Sequence, residues 1–310
     1  MLLRRGLRLA NCVPKYSFKR SYTPLNYDSL KNYRRHAQAP QPHQFDATRW
    51  DQQPVTNEQG VILPSDSIAN ILRQPTLVIE RQMEMMNIFL GFEQANRYVI
   101  MDPTGSILGY MLERDLGITK AILRQIYRLH RPFTVDVMDT AGNVLMTIKR
   151  PFSFINSHIK AILPPFRNSD PDEHVIGESV QSWHPWRRRY NLFTAQIGEK
   201  DTVYDQFGYI DAPFLSFEFP VLSESRQTLG AVSRNFVGFA RELFTDTGVY
   251  IIRMGPESFV GLEGNYGNNV AQHALTLDQR AVLLANAVSI DFDYFSRHSS
   301  HSGGFIGFEE

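Results

Sequence analysis

One apolar stretch near the end of the chain limits its fold more than any other feature. Residues 281–290 read Ala-Val-Leu-Leu-Ala-Asn-Ala-Val-Ser-Ile, the longest apolar run in the sequence. A membrane span needs about 20 such residues. This run is about half as long, contains Asn286 and Ser289, and leads into Asp291 and Asp293. It therefore predicts a buried core helix. The helix begins near Leu277, because Thr276 followed three places on by Gln279 is a capping-box signature. Residues 280–290 are apolar nearly all round, and such a helix must be covered on every side.

The chain before it reads as strands. Leu77, Val78 and Ile79 open the first. Residues 97–101 and 107–112 flank Asp102-Pro103-Thr104-Gly105, the residue order of a type I turn. Phe133, Val135 and Val137 alternate with Thr134 and Asp136, the period-2 signal of a half-buried strand. A turn at 139–143 and a strand at 144–148 follow, and Met138-Asp139-Thr140-Ala141-Gly142 echoes Met101-Asp102-Pro103-Thr104-Gly105. Further strands are expected at 175–183, 190–196, 202–207, 215–219 and 249–254. Short strands with turns at intervals of about 8–12 residues argue for a sandwich or barrel. No strand–helix–strand rhythm points to a parallel α/β sheet. A second helix is expected at 118–129. There Ile118, Ile122 and Ile126 share one face, while Lys120, Arg124 and Arg128 share the opposite one. Strands followed by an all-round apolar helix suggest a sheet wrapped around that helix.

The first 27 residues contain Arg4, Arg5, Arg8, Lys15, Lys19 and Arg20 and no acid. A basic, acid-free amphipathic start has the character of a mitochondrial transit peptide, and the arginines interrupt any secretory apolar core. Arg20-Ser21-Tyr22 resembles a matrix-peptidase site with cleavage after Tyr22. The expected organisation is a targeting segment at 1–22, a polar linker at 23–69, a folded domain at 70–296 and a tail at 297–310. The only cysteine, Cys12, lies in the targeting segment. The remainder then offers no disulfide, thiolate metal site or cysteine nucleophile. Net charge is zero, which argues against coating nucleic acid.

Several motifs stand out, in order, along the chain. They are Leu90-Gly91-Phe92-Glu93 with Tyr98, Arg131-Pro132-Phe133-Thr134 with Met138, Asp139 and Gly142, and Arg150-Pro151. Gly177 through Gln181, Trp183, His184 and Pro185 come next, then Arg241-Glu242-Leu243-Phe244-Thr245-Asp246, then 283–292. Together they resemble the phospholipid scramblase family, and the resemblance spans about residues 71–296. It implies a mainly β fold, a twelve-stranded antiparallel closed barrel enclosing the hydrophobic C-terminal helix, as in tubby-like proteins. It also implies binding to anionic phospholipid such as cardiolipin, at a membrane surface, and a proposed calcium-stimulated movement of lipid between leaflets. A cysteine-rich stretch of the family is replaced here by 118–129.

Candidate sites follow from the residues and from the resemblance. The family's acidic loop aligns with 246–257. An EF-type loop wants oxygen ligands at positions 1, 3, 5 and 12 and Gly at 6. Asp246 and Glu257 fill positions 1 and 12, but Gly248, Tyr250 and Ile251 fill 3, 5 and 6, so any calcium site is weak. The alternation of 249–254 reads equally as a plain strand. Lys120, Arg124 and Arg128 form one basic face, and Arg187, Arg188 and Arg189 follow Trp186; both suit an anionic membrane. His184 has no partner at metal-binding spacing. No phosphate loop, nucleophile elbow, zinc-protease or dinucleotide motif occurs, so a catalytic site is not expected. Two functions remain open: a mitochondrial lipid-binding barrel that moves lipids, or a membrane-docked adaptor holding a protein partner. Charge reversal at Lys120, Arg124 and Arg128 is expected to weaken binding to cardiolipin liposomes, read by co-sedimentation; unchanged sedimentation would remove that face from the docking surface.

Overall fold

The structure is a computed structural model and describes residues 60–82, 97–114, 132–153, 156–164, 174–197, 202–234, 249–262, 266 and 269–295. Twelve strands alternate direction along the chain. They are β1 (Thr76–Gln82), β2 (Arg97–Met101), β3 (Ile107–Glu113), β4 (Phe133–Met138), β5 (Val144–Arg150) and β6 (His158–Ile162), then β7 (Val175–Ser182), β8 (Arg187–Ile197), β9 (Thr202–Pro213), β10 (Glu218–Leu222), β11 (Thr228–Ser233) and β12 (Val249–Arg253). Each pairs antiparallel with its neighbours in sequence, and β1 pairs with β12, from Thr76 opposite Arg253 to Glu80 opposite Val249. The sheet is thus a closed barrel. Two α-helices, α1 (Ser67–Leu72) and α2 (Leu277–Ile290), a 3₁₀ turn at Pro256–Phe259 and a π-helical turn at Asp291–Phe295 complete the described elements. The twelve-stranded antiparallel barrel around a C-terminal helix is the architecture the family resemblance implied.

Side-chain alternation sorts each strand into a lumen face and an outer face. In β4, Phe133, Val135 and Val137 are buried toward the core. Asp136 points the other way and accepts hydrogen bonds from Arg114 and from Thr147 Oγ1 (2.8 Å). The lumen is filled by α2, of whose 14 residues all but Gln279 are buried. Val282, Leu283, Leu284, Val288 and Ile290 lie among inward side chains of the wall. Each such aliphatic side chain contributes about 1.5–3 kcal/mol on burial. The helix starts as the sequence indicates: Thr276 Oγ1 accepts from Gln279 N (3.2 Å), and Gln279 Oε1 accepts from Thr276 N (3.0 Å).

The wall needs glycine where α2 comes closest. A Cβ on Gly177 would lie 2.6 Å from Val282 Cγ2 and 2.3 Å from the Phe193 carbonyl oxygen. The β2–β3 and β4–β5 turns repeat one design. Asp102 Oδ1 accepts from Thr104 N and Ser106 N, and Asp139 Oδ1 accepts from Ala141 N and Asn143 N. Gly105 and Gly142 both sit at φ +88°.

The residues depart from the sequence reading in four places. Packing begins before residue 70: Val61 and Ile62 are buried, and their N–H groups donate to Asp278 at 2.7 and 2.9 Å. α1 also begins in the stretch read as linker, and its carbonyl end is capped by Arg280, whose Nη1 donates to Leu72, Arg73 and Gln74 oxygens. β6 and β11 were not expected; His158 and Lys160 dilute one, and Gly230 weakens the other. β10 begins at Glu218, not Leu215, because Leu215 stands in the preceding turn. The helix expected at 118–129 lies outside the described residues. Gly177→Ala is expected to lower stability by about 1–3 kcal/mol through overpacking, read as a reduced urea midpoint.

Candidate functional site

Odd-numbered strands finish, and even-numbered strands begin, at one end of the barrel. This end is the mouth, and the C-terminal end of α2 reaches it. A π-helical turn at Asp291–Phe295 follows α2. Asp291 accepts from Tyr98 Oη (2.5 Å) and from Tyr250 Oη, and Arg81 Nη1 lies 3.9 Å away. Asp293 accepts from Arg150 Nη1 (2.6 Å), Tyr190 Oη (3.3 Å) and Ser289 Oγ (3.2 Å). Phe292 stacks on Phe133, and the Arg150 guanidinium covers the Phe133 ring. Both carboxylates are therefore buried among donors supplied by five strands. The space beside Tyr98, Tyr250 and Asp291 holds at most about one water molecule. α2 fills the lumen there, so an acyl chain does not fit at this end of it.

Outside this plug, two described turns of the rim expose apolar groups. The β7–β8 turn carries Trp183 and Trp186, which are 66% and 76% exposed. The β9–β10 turn carries Phe214 and Leu215, 46% and 81% exposed. The two turns are neighbours: Arg187 pairs with Pro213, and Phe214 N donates to the Trp186 carbonyl (3.1 Å). His184 shapes the first turn, its Nδ1 accepting from Trp186 N (3.1 Å).

The three arginines next to Trp186 do not form one patch. Successive strand residues face opposite sides. Arg187 and Arg189 point outward, where both reach Asp211 Oδ1 (2.5 and 3.2 Å). Arg188 faces the lumen side and lies over the Phe214 ring, 3.8 Å from its centroid. Burial pushes the Asp211 carboxyl up, but hydrogen bonds and charge from Arg187 and Arg189 outweigh it and hold Asp211 below the usual carboxylate range. One acid therefore screens two of the three cations. Lys120, Arg124 and Arg128 fall between β3 and β4 and lie outside the described residues.

The described part of the stretch aligned with a calcium loop holds a strand and a 3₁₀ turn. Asp246 lies outside the described residues, and Val249–Arg253 is β12, paired with β1 and β11. Five extended residues at about 3.3 Å each span about 16 Å. Glu257 therefore stands at the barrel end opposite the one where β12 starts. It sits in the 3₁₀ turn Pro256–Phe259, folded over Gly255. Burial pushes Arg280 down to about 10, and the charge of Glu257 opposes that shift. A twelve-residue loop wrapped around one ion is not what residues 249–257 form. No cluster of three or more metal-ligating side chains occurs among the described residues. None of their helices is long and apolar enough to cross a membrane.

The buried tyrosines give the mouth a pH signature. Burial first, and then the charge of Asp291, raise both Tyr98 and Tyr250 above the ordinary tyrosine value. Their contribution to stability is complete below about pH 10 and is lost as pH rises, because the unfolded phenols ionise first. Replacing Tyr98 and Tyr250 by Phe is expected to make the alkaline loss of stability shallower, measured as urea midpoints on either side of about pH 10.

A family model described as Scramblase matches residues 56–297. The chain is 56% identical over 265 residues to Altered inheritance rate of mitochondria protein 25 of Saccharomyces cerevisiae, covering 81% of this chain and 80% of that one. It is 43% identical over 259 residues to a phospholipid scramblase family protein of Schizosaccharomyces pombe, covering 80% and 66%. Phospholipid scramblase 1 of Mus musculus is 28% identical over 227 residues, covering 71% and 61%. No solved structure matches the chain. With a family model spanning most of its length and a relative of high identity over four-fifths of both chains, this chain belongs to the scramblase family.

Proposed function

We propose that this protein binds anionic phospholipid, cardiolipin among them, at a mitochondrial membrane and contributes to movement of phospholipids between leaflets. The observation that carries the reading is the family match over 56–297, together with relatives named as phospholipid scramblases. The mitochondrial part rests on the relative named for inheritance of mitochondria and on the basic, acid-free first 27 residues. Docking draws on Lys120, Arg124 and Arg128 and on Arg187 and Arg189, with local perturbation of the bilayer following.

The filled lumen favours a second reading. A headgroup has no route beside α2, so any lipid movement acts through the bilayer around the protein. A membrane-docked adaptor without lipid-moving activity is consistent with the same geometry. Dithionite quenching of NBD-lipid in cardiolipin-containing liposomes carrying the chain from residue 23 separates the two. Quenching beyond the outer-leaflet fraction is the expected result. Quenching confined to the outer leaflet, with lipid binding intact, would leave the adaptor. Adding calcium, with and without Asp246→Asn and Glu257→Gln, tests whether those carboxylates contribute.

A further inference from the structure

Turn residues are ordinarily Gly, Asn, Asp, Ser or Pro. The β7–β8 and β9–β10 turns instead put Trp183, Trp186, Phe214 and Leu215 into solvent. Large side chains clustered on a folded surface mark an interaction site. These turns are also braced. Trp183 N donates to Asn156 Oδ1 (3.2 Å), Ser216 Oγ donates to the Glu218 carbonyl (2.6 Å), and Glu218 N donates back to Ser216 Oγ (3.1 Å). The apolar tips are held in place before they meet a partner.

The residues behind the tips indicate what that partner is. Arg187 and Arg189 stand one step back from the turn, with side chains 39% and 44% exposed. Arg188 lies against Phe214. Aromatic tips backed by cations match a bilayer, where Trp seats at the headgroup level and Arg meets anionic phosphate. Because Asp211 screens Arg187 and Arg189, Coulomb attraction at this edge is small and apolar insertion has to supply most of the binding.

We propose that these paired turns are a bilayer anchor, inserting Trp183, Trp186, Phe214 and Leu215 into the interface of an anionic phospholipid membrane, so that the mouth of the barrel faces the lipid. The proposal rests on the phospholipid reading above and adds the surface, its orientation and its dominant force. Binding through the anchor is largely insensitive to salt.

The test uses the full chain with Trp50→Phe, which leaves Trp183 and Trp186 as the only indole reporters. Vesicles of phosphatidylcholine and cardiolipin carry shallow or deep doxyl quenchers. Quenching by the shallow probe is expected. No quenching by either probe, while the protein sediments with vesicles, would overturn the anchor. Trp186→Ser with Leu215→Ser is expected to lower vesicle partitioning about tenfold or more at low and high salt alike. Arg187→Gln with Arg189→Gln is expected to lower it about fivefold at low salt only. All these side chains are at least partly exposed, so urea midpoints near wild type are expected. A Trp186→Ser, Leu215→Ser protein with that midpoint that still partitions like wild type would also overturn the proposal and assign the turns to a protein partner. Lipid movement is scored separately: its loss with indole quenching intact sinks the transport reading alone, and its persistence without quenching sinks the anchor alone.

Discussion

A helix that is apolar on all sides has no exposed face, and the whole architecture follows from meeting that demand. One sheet face covers only one side of a helix, so the strands must close on themselves. Closure joins β1 to β12 and removes both sheet edges. The wall then has to fit the helix. Gly177 and Gly230 make room where Val282 and Leu283 press outward. Polar groups sit where the helix leaves the apolar lumen: Asp278 and Arg280 at its start, Asp291 and Asp293 beyond its end. In the middle, Asn286 donates to Ser179 Oγ (2.8 Å) and fixes the rotation of the helix against β7. Buried ion pairs such as Arg150–Asp293 add little net stability, because desolvation offsets their attraction. Displacing either partner is costly, so they hold α2 at one depth in the barrel.

A lumen occupied in this way turns the protein inside out as a functional object. Many barrels place their chemistry inside, and here the inside holds side chains of the same chain. What is left for interaction is the outer wall and the rim. Among the described residues of the rim, two short turns carry indole, phenyl and leucyl groups, and the charges beside them are partly cancelled by Asp211. The basic triplet that looks like a single cluster in the sequence is divided by the strand pleat, two cations outward and one inward.

Features governed by local chemistry could be read from the residues. The Asp-to-Gly turns at 102–105 and 139–142 formed as their composition requires, and so did the Thr276–Gln279 capping box. The alternation in β4 and the encircled helix were equally plain. Features set by distant partners could not be read. β11 is identifiable only from its place between β10 and β12, because Thr-Leu-Gly-Ala-Val-Ser lacks a strong strand signal. The segment at 60–69 looks like linker until Asp278 is placed against Val61 and Ile62. Leu215 and Phe217 were read as strand because apolar residues usually mean core; their exposure is the informative exception. The stretch from 246 to 257 aligns with a loop, but within it residues 249–253 are a strand paired with β1. For the rim, the readable signal was Trp183 and Trp186 bracketing His-Pro, an expensive choice for a turn.

The contact between Val61 and Asp278 joins residues 217 positions apart. Every other strand pairing joins neighbours in sequence, but this contact and the β1–β12 pairing close only when the two ends of the domain meet, a late and slow kind of step. Until β12 emerges, β1 and β11 present open edges. Until α2 follows, the lumen has nothing to pack against. Hairpins formed earlier therefore lack a finished core until α2 is present to pack against them. A chain shortened by even its final helix would lose the template around which the wall closes, and would present its strand edges to other chains instead.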